Sequence, residues 1–142
     1  MSETALPRGV RNNNPGNLSR NNIVWQGLAA DQSSDPRFYV FVSPQYGIRA
    51  LAMVLLSYQD SHDLNTIREI INRWAPPVEN NTDAYVNSVS SKTGISPDTV
   101  IDVHDLGVAR LLVDAIIAQE CANYIYPVTV INEALALAGI TT

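Results

Sequence analysis

Leu112-Val113-Asp114-Ala115-Ile116-Ile117-Ala118-Gln119-Glu120 is nearly continuous apolar sequence that ends in a carboxylate. Asp105 upstream can cap it, and Leu106, Ala109, Leu112, Val113, Ile116 and Ile117 recur at helical spacing, which predicts the longest helix from Asp105 to about Asn123. Glu120 shares a face with Val113, Ile116 and Ile117, at i−7, i−4 and i−3. Those neighbours are core residues, so the glutamate belongs at the edge of the core. Burial without a cation disfavours an ionised carboxyl. A carboxyl that holds a proton can donate it to a leaving oxygen, as glycosidic bond cleavage requires. A helix cap or an arginine pair is the structural alternative for Glu120.

The surroundings of this stretch repeat its pattern. Pro127 can start a last helix that ends at Gly139. Ser43-Pro44 opens a helix carrying Tyr46, Ala50, Met53, Val54 and Leu56 and fading by His62. Asn65 can cap the next, with Ile67, Ile70, Ile71 and Trp74 on one face and Pro76-Pro77 as its stop. Asn81 or Thr82 begins a third, carrying Tyr85, Val86 and Val89 up to Gly94. Near the beginning, Ile23 to Leu28 and Arg37 to Val42 are β-branched and aromatic around the turn-like Asp31 to Pro36, which predicts a small hairpin. The expected fold is mostly α (α+β): residues 1–10 form an N-terminal arm, and residues 11–142 one helical domain with a small N-terminal β-hairpin.

Between arm and hairpin stands Arg11-Asn12-Asn13-Asn14-Pro15-Gly16-Asn17. Asparagine is a poor interior residue for helix or strand, and Pro15 supplies no N–H. Such a run forms a tight turn whose amides both donate and accept hydrogen bonds, the equipment needed to hold an N-acetylated, polyhydroxylated sugar. It reads as a surface turn or as a sugar-holding wall.

Charge and composition exclude other classes. Net charge is −5 and no lysine- or arginine-rich cluster occurs, so nucleic acid is not an expected partner. Cys121 is the sole cysteine, and neither His62 nor His104 has a metal-ligand partner at a recognisable spacing; no metal or cofactor is expected. Cys121 is expected to be a small buried hydrophobe. No signal peptide and no membrane span are read. Gly-Xaa-Ser-Xaa-Gly and phosphate-loop motifs are absent.

The chain resembles small bacteriophage and prophage proteins of the lysozyme-like superfamily, which begin Arg-Gly-(Ile/Val)-Arg-Asn-Asn-Asn-Pro-Gly-Asn-(Ile/Leu) followed by Trp-Xaa-Gly. Arg8 to Leu18 and Trp25-Gln26-Gly27 match, as do Tyr46-Gly47-Ile48-Arg49-Ala50, Trp74-Ala75-Pro76-Pro77 and Glu79-Asn80-Asn81-Thr82 with Tyr85. Thr82-Asp83-Ala84-Tyr85-Val86 looks like the late helix of lytic transglycosylases, and Ala115 to Glu120 like the helix bearing their catalytic glutamate. The order is reversed here, which implies a circular permutation, a change that closely placed domain termini permit. One departure is local: the phage group reads His-Glu-Asn-Gly and then Pro-Tyr, against Gln119-Glu120-Cys121-Ala122 and Tyr126-Pro127 in this chain.

The resemblance implies a peptidoglycan-cleaving muramidase or lytic transglycosylase acting on the MurNAc–GlcNAc bond. Glu120 is then the catalytic acid/base, and Asn13, Asn14, Asn17, Trp25, Gln26, Glu79, Asn81 and Tyr85 the substrate-binding residues. Tyr85 is expected to stack on a sugar face and Trp25 either to do the same or to fill the hairpin core, while Trp74 is expected in the core. The implied partners are peptidoglycan glycan strands and other virion proteins. The implied location is a phage virion, or a host cytoplasm with delivery to the periplasm and cell wall. The alternative is an inactive virion structural or glycan-binding protein.

Overall fold

The computed structural model describes residues 6–142. Six helices follow in order: α1 (Arg8–Arg11), α2 (Pro44–His62), α3 (Ile67–Trp74), α4 (Thr82–Thr93), α5 (Leu106–Glu120) and α6 (Val128–Leu137). The domain is therefore mostly helical.

The helix boundaries have local causes. Pro44 starts α2 with its φ already suited to a helix and no N–H to leave unpaired. Thr66, one residue beyond the expected Asn65, caps α3 by accepting from Glu69 N–H; the Glu69 carboxylate accepts in return from Asn65 N–H and Thr66 Oγ1. Asn81 caps α4 through Ala84 N–H, and Gly94 closes it at φ 72°. Asp105 caps α5 through Val108 N–H. That helix stops at Glu120, earlier than the expected Asn123, because Ala122 and Asn123 take up left-handed φ values of 52° and 65°. Glu120 is thus the last helical residue.

The core is built by α2 packing on α5 and α6, with α4 lying against α3 and α5. Ile48, Leu51, Ile70, Ile71, Leu112, Ile116 and Leu135 are buried without remaining surface. Burying each such side chain contributes about 1.5–3 kcal/mol, so this apolar seam dominates the stability of the fold. A second, smaller cluster joins Tyr39, Phe41 and Ala50 to Leu18, Trp25, Leu28 and Tyr46, fixing the N-terminal loops to α2. None of the described helices is long and apolar enough to cross a membrane.

Two expectations need correction. The arm expected over residues 1–10 ends sooner, since Gly9 and Val10 are buried within α1; residues 1–5 lie outside the described set. The expected β-hairpin is not formed either. Among the described residues, one isolated antiparallel bridge, Leu28 to Phe41, joins the two segments, and a second, Ser19 to Phe38, starts ahead of the first segment.

The reason is competition from side-chain amides. Asn14 Nδ2 donates to Tyr39 O at 2.9 Å and Asn13 Nδ2 to Phe41 O at 3.0 Å. The Gln32 amide both donates to Val40 O and accepts from Val40 N–H. The extended segment from Arg37 to Val42 is therefore satisfied piecemeal by amides and by three separate stretches of backbone, rather than by one partner strand.

Candidate functional site

The asparagine run acts first as an internal bracket. Asn12 is buried and donates to Asp35 Oδ2 at 2.8 Å. Asn14 is fully buried; its Nδ2 serves the carbonyls of Leu18 and Tyr39, and its Oδ1 accepts from Leu18 N–H. Asn13 and Asn17 both adopt φ 51°, a left-handed conformation that asparagine tolerates better than most residues. The bracket also sits hard against α2. A Cβ on Gly47 would lie 1.7 Å from Asn13 O, so only glycine permits this approach.

The last asparagine reaches the glutamate. Asn17 Nδ2 donates to Glu120 Oε1 at 3.1 Å, and Tyr85 OH donates to the other oxygen, Oε2, at 2.8 Å. Trp74 Nε1 in turn donates to Tyr85 OH at 3.0 Å. Elements far apart in sequence (the asparagine turn, the end of α3, α4 and the end of α5) thus converge on one carboxylate. Burial, then the neighbouring Glu120 charge, pushes the Tyr85 phenol well above its ordinary range, so it remains a donor at any physiological pH.

Glu120 is half-buried and lines a cleft of about 770 Å³. One wall is the N-terminal loop region, including Asn17, Trp25 and Arg37. The lining also includes α2 at Met53, Ser57 and Tyr58, Arg73 and Trp74 from the end of α3, and Glu79 beyond it. The volume lies within the range of ordinary ligand sites.

The residues expected at the site therefore separate. Glu120, Asn17, Trp25 and Glu79 line the cleft. Asn13 and Asn14 do not, because their amides hold the loop region together; Asn14 in particular has no surface to offer a ligand. Gln26 is exposed outside the cleft lining, and the side chain of Asn81 is the α4 cap. Tyr85 is buried and orients Glu120, so it is not placed to stack on a sugar.

Trp74, expected in the core, packs partly buried against the core cluster and also borders the cleft, its N–H engaged with Tyr85. Its position in the last turn before Pro76-Pro77 is the available signal, because a helix end seldom buries every face. Arg37, Arg73 and Tyr58 also line the cleft, and no periodicity in the sequence singles them out.

Cys121 is fully buried beside Glu120, its Sγ 3.3 Å from Pro15 O. Burial, then the Glu120 charge, pushes its pKa up to about 11, which removes it as a thiolate nucleophile near neutral pH. His104 is exposed and pairs with Asp60 at 2.8 Å, away from the cleft. Among the described residues, no group of histidine, cysteine and acidic side chains is arranged to hold a metal.

No protein-family model matches the chain. It is similar to Protein P5 of Pseudoalteromonas phage PM2, with 45% identity over 91 residues. The match takes in 62% of this chain and 56% of that protein, so the chain spans little more than half the length of the curated relative it matches. The similarity is to a bacteriophage protein.

Proposed function

We propose that this protein cleaves the glycan strand of peptidoglycan at the MurNAc–GlcNAc bond, with Glu120 as general acid and base on a lysozyme-like fold. The observation that carries the reading is the Glu120 carboxyl group: it borders an open cleft and is oriented by neutral donors on both oxygens, Asn17 and Tyr85. Protonated, Glu120 gives its proton to the glycosidic oxygen as the C1–O bond breaks. It then takes a proton either from water adding to C1 or from the muramyl 6-hydroxyl closing on C1. The first route leaves a reducing end and the second a 1,6-anhydro sugar. The second needs no other carboxylate, which suits a site where Glu120 is the carboxyl group held by Asn17 and Tyr85. Trp25 and Trp74 offer aromatic surface to sugar faces along the same cleft. The similarity to a phage protein supports a role in a virion or in lysis, with other virion proteins as partners and with delivery to the cell wall.

One observation favours a second reading. Both Glu120 oxygens accept bonds from the protein itself, so the residue also serves as a fastener between α5, α4 and the asparagine turn. A virion structural or glycan-binding protein without activity needs no more than that. Turbidity of permeabilised Gram-negative cells, with mass analysis of released muropeptides, separates the two for wild type and Glu120→Gln. Clearing by wild type that Glu120→Gln abolishes supports the enzyme. Release that persists in the folded variant rejects Glu120, and binding without release by wild type supports the second reading.

A further inference from the structure

The protein carries a net charge of −5, yet two of its arginines stand in the cleft without a carboxylate partner among the described residues. Two arginines outside the cleft lining are neutralised: Arg8 pairs with Asp35 at 2.7 Å and Arg68 with Asp98 at 2.8 Å. Arg37 and Arg73 carry no such ion pair and lie on aromatic rings, Arg37 sharing the Phe38 ring with Arg8, which is 4.6 Å from its centre. Arg37 lies 4.9 Å from the Phe38 ring centre, and Arg73 lies 5.4 Å from that of Tyr58. A ring beneath a guanidinium holds its plane without neutralising its charge, leaving its donor fork available.

The two reach the same cleft from different elements, Arg37 from the N-terminal loop region and Arg73 from the last turn of α3. His62, one turn beyond Tyr58 on α2, borders the cleft beside them. An acidic protein gains little long-range attraction for an anionic polymer, so any recognition of negative charge must come from local groups such as these.

We propose that Arg37 and Arg73 form a carboxylate-recognition subsite that selects a strand bearing carboxylates over a neutral glycan. This inference rests on the peptidoglycan reading of the same cleft. A planar guanidinium fork matches a carboxylate in geometry as well as charge. On a muramyl strand that carboxylate is either the free lactyl group or belongs to the stem peptide.

Calorimetry on Glu120→Gln protein, in which the oligosaccharides survive, tests the subsite with three probes. They are chitotetraose, a peptide-free MurNAc–GlcNAc tetrasaccharide, and the same tetrasaccharide carrying stem peptides. The expected result is that at least one carboxylate-bearing probe binds about tenfold more tightly than chitotetraose, the scale of one charge-assisted bond. Which probe gains identifies the lactyl or the peptide carboxylate. Adding Arg37→Gln and Arg73→Gln should lower the affinity of the carboxylate-bearing probes about tenfold further than that of chitotetraose and so erase that preference. Adding Arg37→Lys and Arg73→Lys instead should keep part of it, which guards against a folding artefact. Equal affinity for all three probes, or a preference that survives both glutamine changes, overturns the subsite and leaves glycan binding standing. No binding of any probe overturns the underlying peptidoglycan reading with it.

Discussion

Asn17 and Glu120 stand 103 positions apart and meet through a 3.1 Å bond from an amide to a carboxylate oxygen. The contact joins the tight turn of the N-terminal region to the last residue of α5, and it borders the cleft. It also changes the meaning of the asparagine run. Most of these amides are consumed in building the loop region, and the one that lines the cleft is spent on orienting the glutamate.

Tyr85→Phe tests that orientation from the other side. The variant deletes the donor to Glu120 Oε2 and the acceptor of Trp74 N–H while keeping the ring buried among its neighbours. A hydrogen bond to a charged group contributes roughly 1.5–3 kcal/mol, so peptidoglycan turnover should fall about tenfold or more. Stability should fall on the same scale, by about 1.5–3 kcal/mol, because the same bond is lost from the fold. Muropeptide release kinetics and thermal melting on the same preparation check both halves; unchanged release would remove Tyr85 from the site.

The helices were legible because each carries its own punctuation. Asn81, Gly94 and Asp105 start or stop elements through bonds that span only a few residues, and Pro44 starts α2 by its fixed φ, with no capping bond from the Ser43 side chain. The edge position of Glu120 follows from the apolar face it shares with Val113, Ile116 and Ile117. The hairpin failed for the opposite reason. Whether Arg37 to Val42 finds a strand depends on Asn13, Asn14 and Gln32 arriving from elsewhere in the chain, and β-propensity does not register such competitors. The role of Tyr85 and the cleft-facing side of Trp74 were missed likewise, since the relay from Trp74 to Tyr85 to Glu120 exists only once α3, α4 and α5 are packed.

Asn14→Ala separates a structural amide from a sugar ligand. Three hydrogen bonds disappear, leaving Leu18 N–H and the Leu18 and Tyr39 carbonyls without this partner inside the fold. At about 1 kcal/mol each, the loss is about 3 kcal/mol, or roughly 10 °C in Tm for a domain of this size. Differential scanning calorimetry checks it. An unchanged Tm with weakened glycan binding would return Asn14 to the ligand.

Gly47→Ala should be worse. The new Cβ would fall 1.7 Å from Asn13 O and 2.8 Å from Asn13 C, and backbone atoms cannot swing aside. A cost of about 3 kcal/mol or more is expected, with the asparagine bracket displaced from α2. Gly94→Ala is the control: nothing lies within 4 Å of its added Cβ, and only the φ of 72° is unfavourable, at about 1–2 kcal/mol. Urea denaturation of both variants should rank them in that order, and the reverse ranking would refute the close approach.

The acid limb of stability should run through Asp35. The Arg8 guanidinium, bonded to both carboxylate oxygens at 2.7 Å, holds this carboxyl far below the usual range. Burial opposes the shift, while Phe38 N–H, Arg37 N–H and the Asn12 amide add to it. A carboxyl depressed in the folded state stabilises it above the unfolded-state value, near pH 4, and that contribution is lost as pH falls further. Tm should therefore drop steeply below about pH 4 in the wild type. In Asp35→Asn it should be lower at neutral pH and flatter across the acid range, with a residual slope from Asp98 and Asp102, whose carboxyls are also depressed by their partners. Because Asp35 ties Arg8 and Asn12 to the loop that presents Arg37, the same variant should loosen the cleft wall. Amide exchange across residues 12–20 and 35–42 should then rise together, and parallel Tm profiles for the two proteins would remove Asp35 as the anchor.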